Sequence, residues 1–222
     1  LVVFHRMFTL IRYYLTLSLY FLSSHSLSPA ADQHPYAQMN TVVGQTLTSL
    51  TAPIRFPGAL NVDLNELTMN LVPFPSMHFV IPSLAPISPL ASTSSTSSSS
   101  KLTAVAPRHL DQLYADILHP DHCLLSVDPR KHTYLALGVF TRGRNVQITD
   151  VNRNIAKLKA CVRMAPWNPD GFKIGLCSQP GVGEGMERSV LGLSNNCAVV
   201  GVFKRMSKRF DLLYRRRAHV HH

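Results

Sequence analysis

Acidic side chains are scarce in this sequence, 12 against 22 lysines and arginines, and charged residues of either sign fill only 15% of its 222 positions. Beside a 45% hydrophobic content, such sparse charge excludes a disordered polyelectrolyte and requires a packed core. Cysteine pairs are missing too. Cys123, Cys161, Cys177 and Cys197 are far apart, with no C-x-x-C and no histidine at zinc-finger spacing, so they are expected to be reduced, mostly buried thiols. There is no phosphate-cradling loop. Gly181-Val182-Gly183-Glu184-Gly185 has no Lys-Ser/Thr after it and is expected to be a turn between strands. The apolar run from Phe8 to Ser28 is interrupted by Arg12 and serines, which argues against a membrane span. Following His5 and Arg6, it has the outline of a signal peptide. The chain opens on Leu1 rather than Met, however, so residues 1–32 are expected to be an unmatched segment, mis-spliced or disordered.

What charge there is lies unevenly. The net charge is +10, and near the end Lys204, Arg205, Lys208, Arg209, Arg215, Arg216 and Arg217 face a single acid, Asp211. A basic helix of this kind raises nucleic acid or an anionic surface as a partner. The basic face is one helix long, and neither an RNA-recognition aromatic motif nor a zinc framework accompanies it. His219, His221 and His222 offer imidazoles only at a chain end, where an artificial terminus is the simpler reading, so no metal site is assigned.

Periodicity divides the rest into strands and helices. Met39, Val42, Val43, Leu47 and Leu50 lie on one helical face, which Pro53 and Gly58 are expected to break. Asn61 to Leu71 predicts a second short helix, closed by Pro73 and Pro75, and Met77 to Ile81 a strand. Ser92 to Ser100, serine and threonine only, predicts a solvated or disordered insertion. Pro107 is placed as the first residue of a helix with Leu110, Leu113, Tyr114, Ile117 and Leu118 inward. Tyr134 to Phe140 predicts a strand covered on both faces, with Arg142-Gly143-Arg144 as the turn after it. Thr149 is expected to cap a helix to about Lys159, followed by strands near Val162 to Trp167, Phe172 to Cys177 and Ser189 to Leu193. The final helix carries Val202, Phe203, Met206, Phe210, Leu213 and Tyr214 on one stripe. Strands alternating with helices in this way make an α/β fold.

The most specific string is Arg55-Phe56-Pro57-Gly58-Ala59-Leu60-Asn61-Val62-Asp63-Leu64-Asn65-Glu66, followed by Asn70-Leu71-Val72-Pro73-Phe74-Pro75 and His78-Phe79. Asp63 and Glu66 stand three apart at a helix start, on one face, where two carboxylates can orient and deprotonate a water. The plainer reading is a capping box, in which Asp63 accepts backbone N–H bonds and Glu66 reaches back. Spacing alone favours the cap.

The wider string resembles the loop and helix by which one tubulin subunit reaches into the nucleotide site of its longitudinal neighbour. The likeness continues upstream in Tyr36-Ala37-Gln38-Met39-Asn40. It continues downstream in Leu110-Asp111-Gln112, Tyr134 to Arg144, Val162 to Asn168 with the lone tryptophan, Lys204 to Phe210 and Tyr214 to His219, and covers 36–222 apart from the serine insertion. Within the family, Asn61 to Glu66, Asn145 to Asp150 and the ending Ala218 to His222 look most like the epsilon type.

The resemblance implies a tubulin-type intermediate domain, a mixed β-sheet with flanking helices, plus the central helix and the first long C-terminal helix. Domain limits follow: 33–56 for the central helix, 57–198 for the intermediate domain with a Ser/Thr-rich insertion at 91–100, and 199–222 for the start of the helical C-terminal region. It implies that Glu66, with Asp63 and Asn61 beside it, activates the water that attacks GTP held by the next subunit, and that Tyr36 stacks on guanine while Asn40 hydrogen-bonds it. Catalysis would be composite, since the phosphate-binding half is not in this sequence, and an independent enzyme is not expected. The implied partners are other tubulin subunits, with no nucleic acid and no membrane. The implied place is the cytoskeleton of the cytoplasm, at centrioles, basal bodies or the centrosome. The rival readings are a non-functional gene fragment and the basic-helix binding module.

Overall fold

The computed structural model of the chain describes residues 37–87, 109–181 and 187–218. Helix α1 runs Ala37–Arg55 and α2 Leu64–Leu71, followed by β1 (Val80–Ala85). Helix α3 (Leu110–Asp116) leads through two short 3-10 turns to β2 (Tyr134–Gly143) and α4 (Ile148–Cys161). Strands β3 (Phe172–Cys177) and β4 (Arg188–Asn196) precede α5 (Val199–Arg215).

The four strands form one sheet in the order β1-β4-β2-β3. β4 pairs antiparallel with both β1 and β2, while β3 lies parallel to β2, reached by a crossover through α4. The sheet is therefore mixed, and the expected α/β architecture with flanking helices is what the chain adopts.

Two-residue alternation sorts the sheet into two faces. Leu137, Val139 and Val190 pack with Leu113, Tyr114 and Ile117 of α3 and with Val151, Ile155 and Leu158 of α4. The opposite face presents Ala136, Phe140, Leu191 and Leu193 to Leu50 of α1, Val62, and Leu67 and Leu71 of α2. β2 is covered on both sides, which is why its sequence reads as an almost unbroken apolar run. Tyr114 buries its hydroxyl against Thr141 Oγ1 at 2.7 Å, and burial pushes that phenol up to about 12.

Several expectations about boundaries are corrected. Helix α1 does not break at Pro53 but continues to Arg55: Pro53 forfeits its own i→i−4 bond, yet only two helical residues follow it, and Ala52 still accepts the Phe56 N–H at 3.0 Å. Helix α2 begins at Leu64 rather than Asn61, whose neighbour Val62 is drawn into the core from extended chain. Strand β1 lies at 80–85 rather than 77–81, since Pro82 is tolerated on an edge strand, where it gives up no ladder donor.

Arg142 and Gly143 belong to β2 rather than to a turn. Arg142 is buried, its Nη2 donating to Pro180 O at 2.8 Å, and Asn145 takes the left-handed conformation (φ 56°) that turns the chain. Gln147, not Thr149, holds the N-cap position of α4. Residues 162–167 form no strand, only a bridge from Met164 to Tyr134.

All four cysteines are free, but only Cys123 and Cys177 are buried, while Cys161 and Cys197 are exposed. Burial pushes the Cys123 thiol up to about 11, so it stays protonated. The serine tract, Pro107, the 182–186 part of the glycine run and His219, His221 and His222 lie outside the described residues. Among the described residues no helix is long and apolar enough to cross a membrane, and no three metal-ligating side chains converge.

Candidate functional site

The segment from Gly58 to Glu66 is held by its backbone and its apolar residues, which frees its polar ones. Leu60 makes a single antiparallel bridge to β3, its carbonyl accepting the Leu176 N–H at 3.0 Å. Gly58 lies so near β3 that a Cβ there would stand 2.0 Å from Leu176 O, so the close approach admits no side chain. Val62 is buried between Asn61 and Asp63, both exposed. Extended alternation thus places Asn61 and Asp63 outward from a fixed stretch of chain.

Asp63 then caps α2. Its Oδ1 accepts the Leu64 N–H at 2.8 Å, and Glu66 Oε2 accepts the Asp63 N–H at 3.4 Å, completing a reciprocal capping box. The reading favoured by spacing alone is the one realised in the fold, and the same arrangement leaves both carboxylates at the surface. Leu67 and Leu71 bury the opposite side of the helix, so α2 is pinned to the sheet while Asn65, Glu66, Met69 and Asn70 face outward. The Asn70 amide donates to Glu66 O at 2.6 Å.

Two features near these carboxylates escaped the sequence reading. Lys173, on β3, places Nζ 3.3 Å from Glu66 Oε2. Beyond the far end of α2, Phe74 meets Trp167 edge to face, ring centres 5.6 Å apart, and both rings are about half exposed, at 51% and 54%, with Met69 at 78%. Exposed aromatic side chains that meet one another are a feature of protein contact surfaces. Phe74 and Trp167 are 93 positions apart, and no periodicity joins them. The rarity of tryptophan and its exposure in a connection were the signals available.

Of the two residues expected to hold guanine, Asn40 is exposed on the first turn of α1, and Tyr36 lies outside the described residues. Asn40 is therefore placed on a different helix from Asn61, Asp63 and Glu66, which share one segment.

The family model for the tubulin C-terminal domain matches residues 75–208, more than half of the chain. The chain belongs to the tubulin family. It is 44% identical over 188 residues to a tubulin epsilon chain of Mus musculus and 43% identical over 188 residues to that of Homo sapiens, in each case 85% of this chain and 37% of the relative. It is also 37% identical over 195 residues to a tubulin alpha-6 chain of Naegleria pringsheimi, 84% of this chain and 41% of that one. This tubulin-family chain thus spans well under half the length of the relatives it matches, and among those named its likeness is greater to the epsilon chains than to the alpha chain. The sheet, α3, α4 and most of α5 fall inside the matched domain, while α2 and the residues Asn40, Asn61, Asp63 and Glu66 precede its first matched residue.

Proposed function

We propose that this chain is part of an epsilon-type tubulin subunit that presents Asn61, Asp63 and Glu66 to GTP bound by the next subunit along a polymer. The observation that carries the proposal is the exposure of both carboxylates on a segment whose backbone and apolar residues are fixed to the sheet. A group that acts on a ligand held by another chain must be both rigid and outward, and Glu66 meets both conditions. The exposed pair Phe74 and Trp167, just beyond α2, supports a contact on this side, because a neighbouring subunit covering it would bury apolar surface that otherwise faces water. In this reading Glu66 orients the attacking water, Asp63 sets the start of the helix that carries Glu66, and Asn61 supplies a neutral hydrogen-bonding group beside them.

GTP supplies the phosphoanhydride that is cleaved. Toward a nucleotide held within the same subunit, Asn40 offers a carboxamide whose donors and acceptor match the edge of guanine, and Tyr36 an aromatic face. The polymer is assigned to the microtubules of centrioles and basal bodies, in the cytoskeleton of the cytoplasm, on the likeness to epsilon chains.

The test is GTP turnover in polymer assembled from the full chain and other tubulin subunits, comparing the native protein with Glu66→Gln. Loss of a positioned general base lowers turnover by about 100-fold or more. Unchanged turnover in polymer that still assembles would overturn the assignment of Glu66.

A further inference from the structure

The parity of β3 singles out Lys173. Phe172 and Ile174 pack toward the α3–α4 side of the sheet. Lys173 and Gly175 therefore fall on the other side, where Val62 and Phe140 stand close around Gly175 and Leu71 and Phe140 around Gly138, the partner of Lys173 in register. On this face, otherwise built from small and apolar groups beneath α2, Lys173 is the one cation in β3. Its side chain is only 22% exposed, so the stem is largely covered while the ammonium comes out at Glu66, whose side chain is 50% exposed.

Both approaches to this carboxylate are made at the same oxygen. Glu66 Oε2 is approached by Lys173 Nζ at 3.3 Å and also by the Asp63 N–H at 3.4 Å. Oε1 accepts no hydrogen bond among the described residues. One oxygen is thus tied at two points and the other left to act. A glutamate on a short exposed helix ordinarily samples several rotamers, and a group that must orient water toward a reacting phosphate is effective only in a narrow range of them.

We propose that Lys173 is a positioning residue for Glu66: its ammonium pins Oε2 from the sheet side, so that Oε1 is presented to the water at the neighbouring subunit's nucleotide. This rests on the reading of Glu66 given under Proposed function. Lys173 is held behind the carboxylate by β3, an arrangement suited to fixing Glu66 rather than to binding phosphate itself.

The experiment is a double-mutant cycle on GTP turnover in polymer assembled from the full chain and other tubulin subunits, with kcat and KM read separately. Lys173→Met lowers kcat about tenfold and leaves KM unchanged, because the nucleotide is bound by the other subunit. Lys173→Arg restores most of the loss, which a merely structural lysine stem would not require. In a Glu66→Gln background, Lys173→Met has no further effect. A further drop in that background would show Lys173 acting on the phosphate directly and would overturn the inference. Native kcat in Lys173→Met, with Glu66→Gln impaired, removes Lys173 alone, whereas native kcat in Glu66→Gln removes the reading beneath it as well. Lys173→Gln, which keeps most of the stem and removes the charge, takes the place of Lys173→Met if the latter fails to fold.

Discussion

Helices α2 and α5 differ in a way that helix length would not predict. α2 has eight residues, yet its N-cap is satisfied on both sides and Leu67 and Leu71 lie in the core. α5 has 17 residues, yet only Val199 is buried. Its further contacts include Val202 packing partly, Phe203 meeting Phe79 edge to face at 5.0 Å, and Arg205 donating to Ser126 O at 2.7 Å. Most of its apolar stripe is uncovered: Met206, Phe210, Leu213 and Tyr214 are all exposed. A short helix can carry a defined chemical group when the sheet fixes it, while a long one can show an apolar face with little beneath it. Position is set by anchorage, and exposure of carboxylates on α2 and of aromatic rings on α5 are different facts physically.

The comparison breaks most directly at Leu71, which is fully buried on the sheet face beneath α2, close to Gly138. Leu71→Ala removes packing from a site where the surrounding strands cannot close up. It is expected to destabilise the chain by about 2–5 kcal/mol, read by chemical denaturation. A change under about 0.5 kcal/mol would mean that α2 is not held by the core, and the rigidity argued for Glu66 would go with it.

A smaller effect separates anchorage from chemistry at the other end of the helix. Asp63→Ala removes the carboxylate that caps α2 and is expected to cost about 1 kcal/mol, while Asp63→Asn retains a capping oxygen and most of the stability. Melting curves of the two variants check the cap, and GTP turnover in polymer checks the rest. Equal recovery of both by asparagine makes Asp63 a helix-start residue only. Recovery of stability without turnover gives its charge a part in the reaction.

Much of this arrangement was legible in the sequence, for reasons that can be named. Tyr134 to Phe140 is unbroken because both faces of β2 are covered, and the D-L-N-E string announces its cap because a capping box is local chemistry. Boundaries were less legible where a long-range neighbour decides them. Pro82 continues β1 only because that strand is an edge, and Arg142 is drawn into β2 because β4 pairs with it to the end, as far as Gly143 opposite Arg188. Lys173 was unreadable for the same reason: its partner is 107 positions away, and only the β3 crossover brings the two together. The stripe on α5 was read correctly as a stripe, but period reports that residues share a face, not that anything covers it.

That last distinction gives the smallest expected effect. Phe210 is 62% exposed and, among the described residues, stacks on Tyr214, one turn along the same helix, with ring centres 5.6 Å apart. Phe210→Ser therefore removes little buried area and no contact with the sheet, and is expected to change the stability of this chain by no more than about 0.5 kcal/mol. Denaturation of the native chain and the variant under the same conditions checks it. A loss approaching that of Leu71→Ala would mean that the α5 stripe is covered in solution, and the contrast between the two helices would then be one of partner rather than of anchorage. A null result leaves α5 as an apolar face whose energy is not spent on folding the described residues, and the rigidity of α2 as a property of the sheet alone.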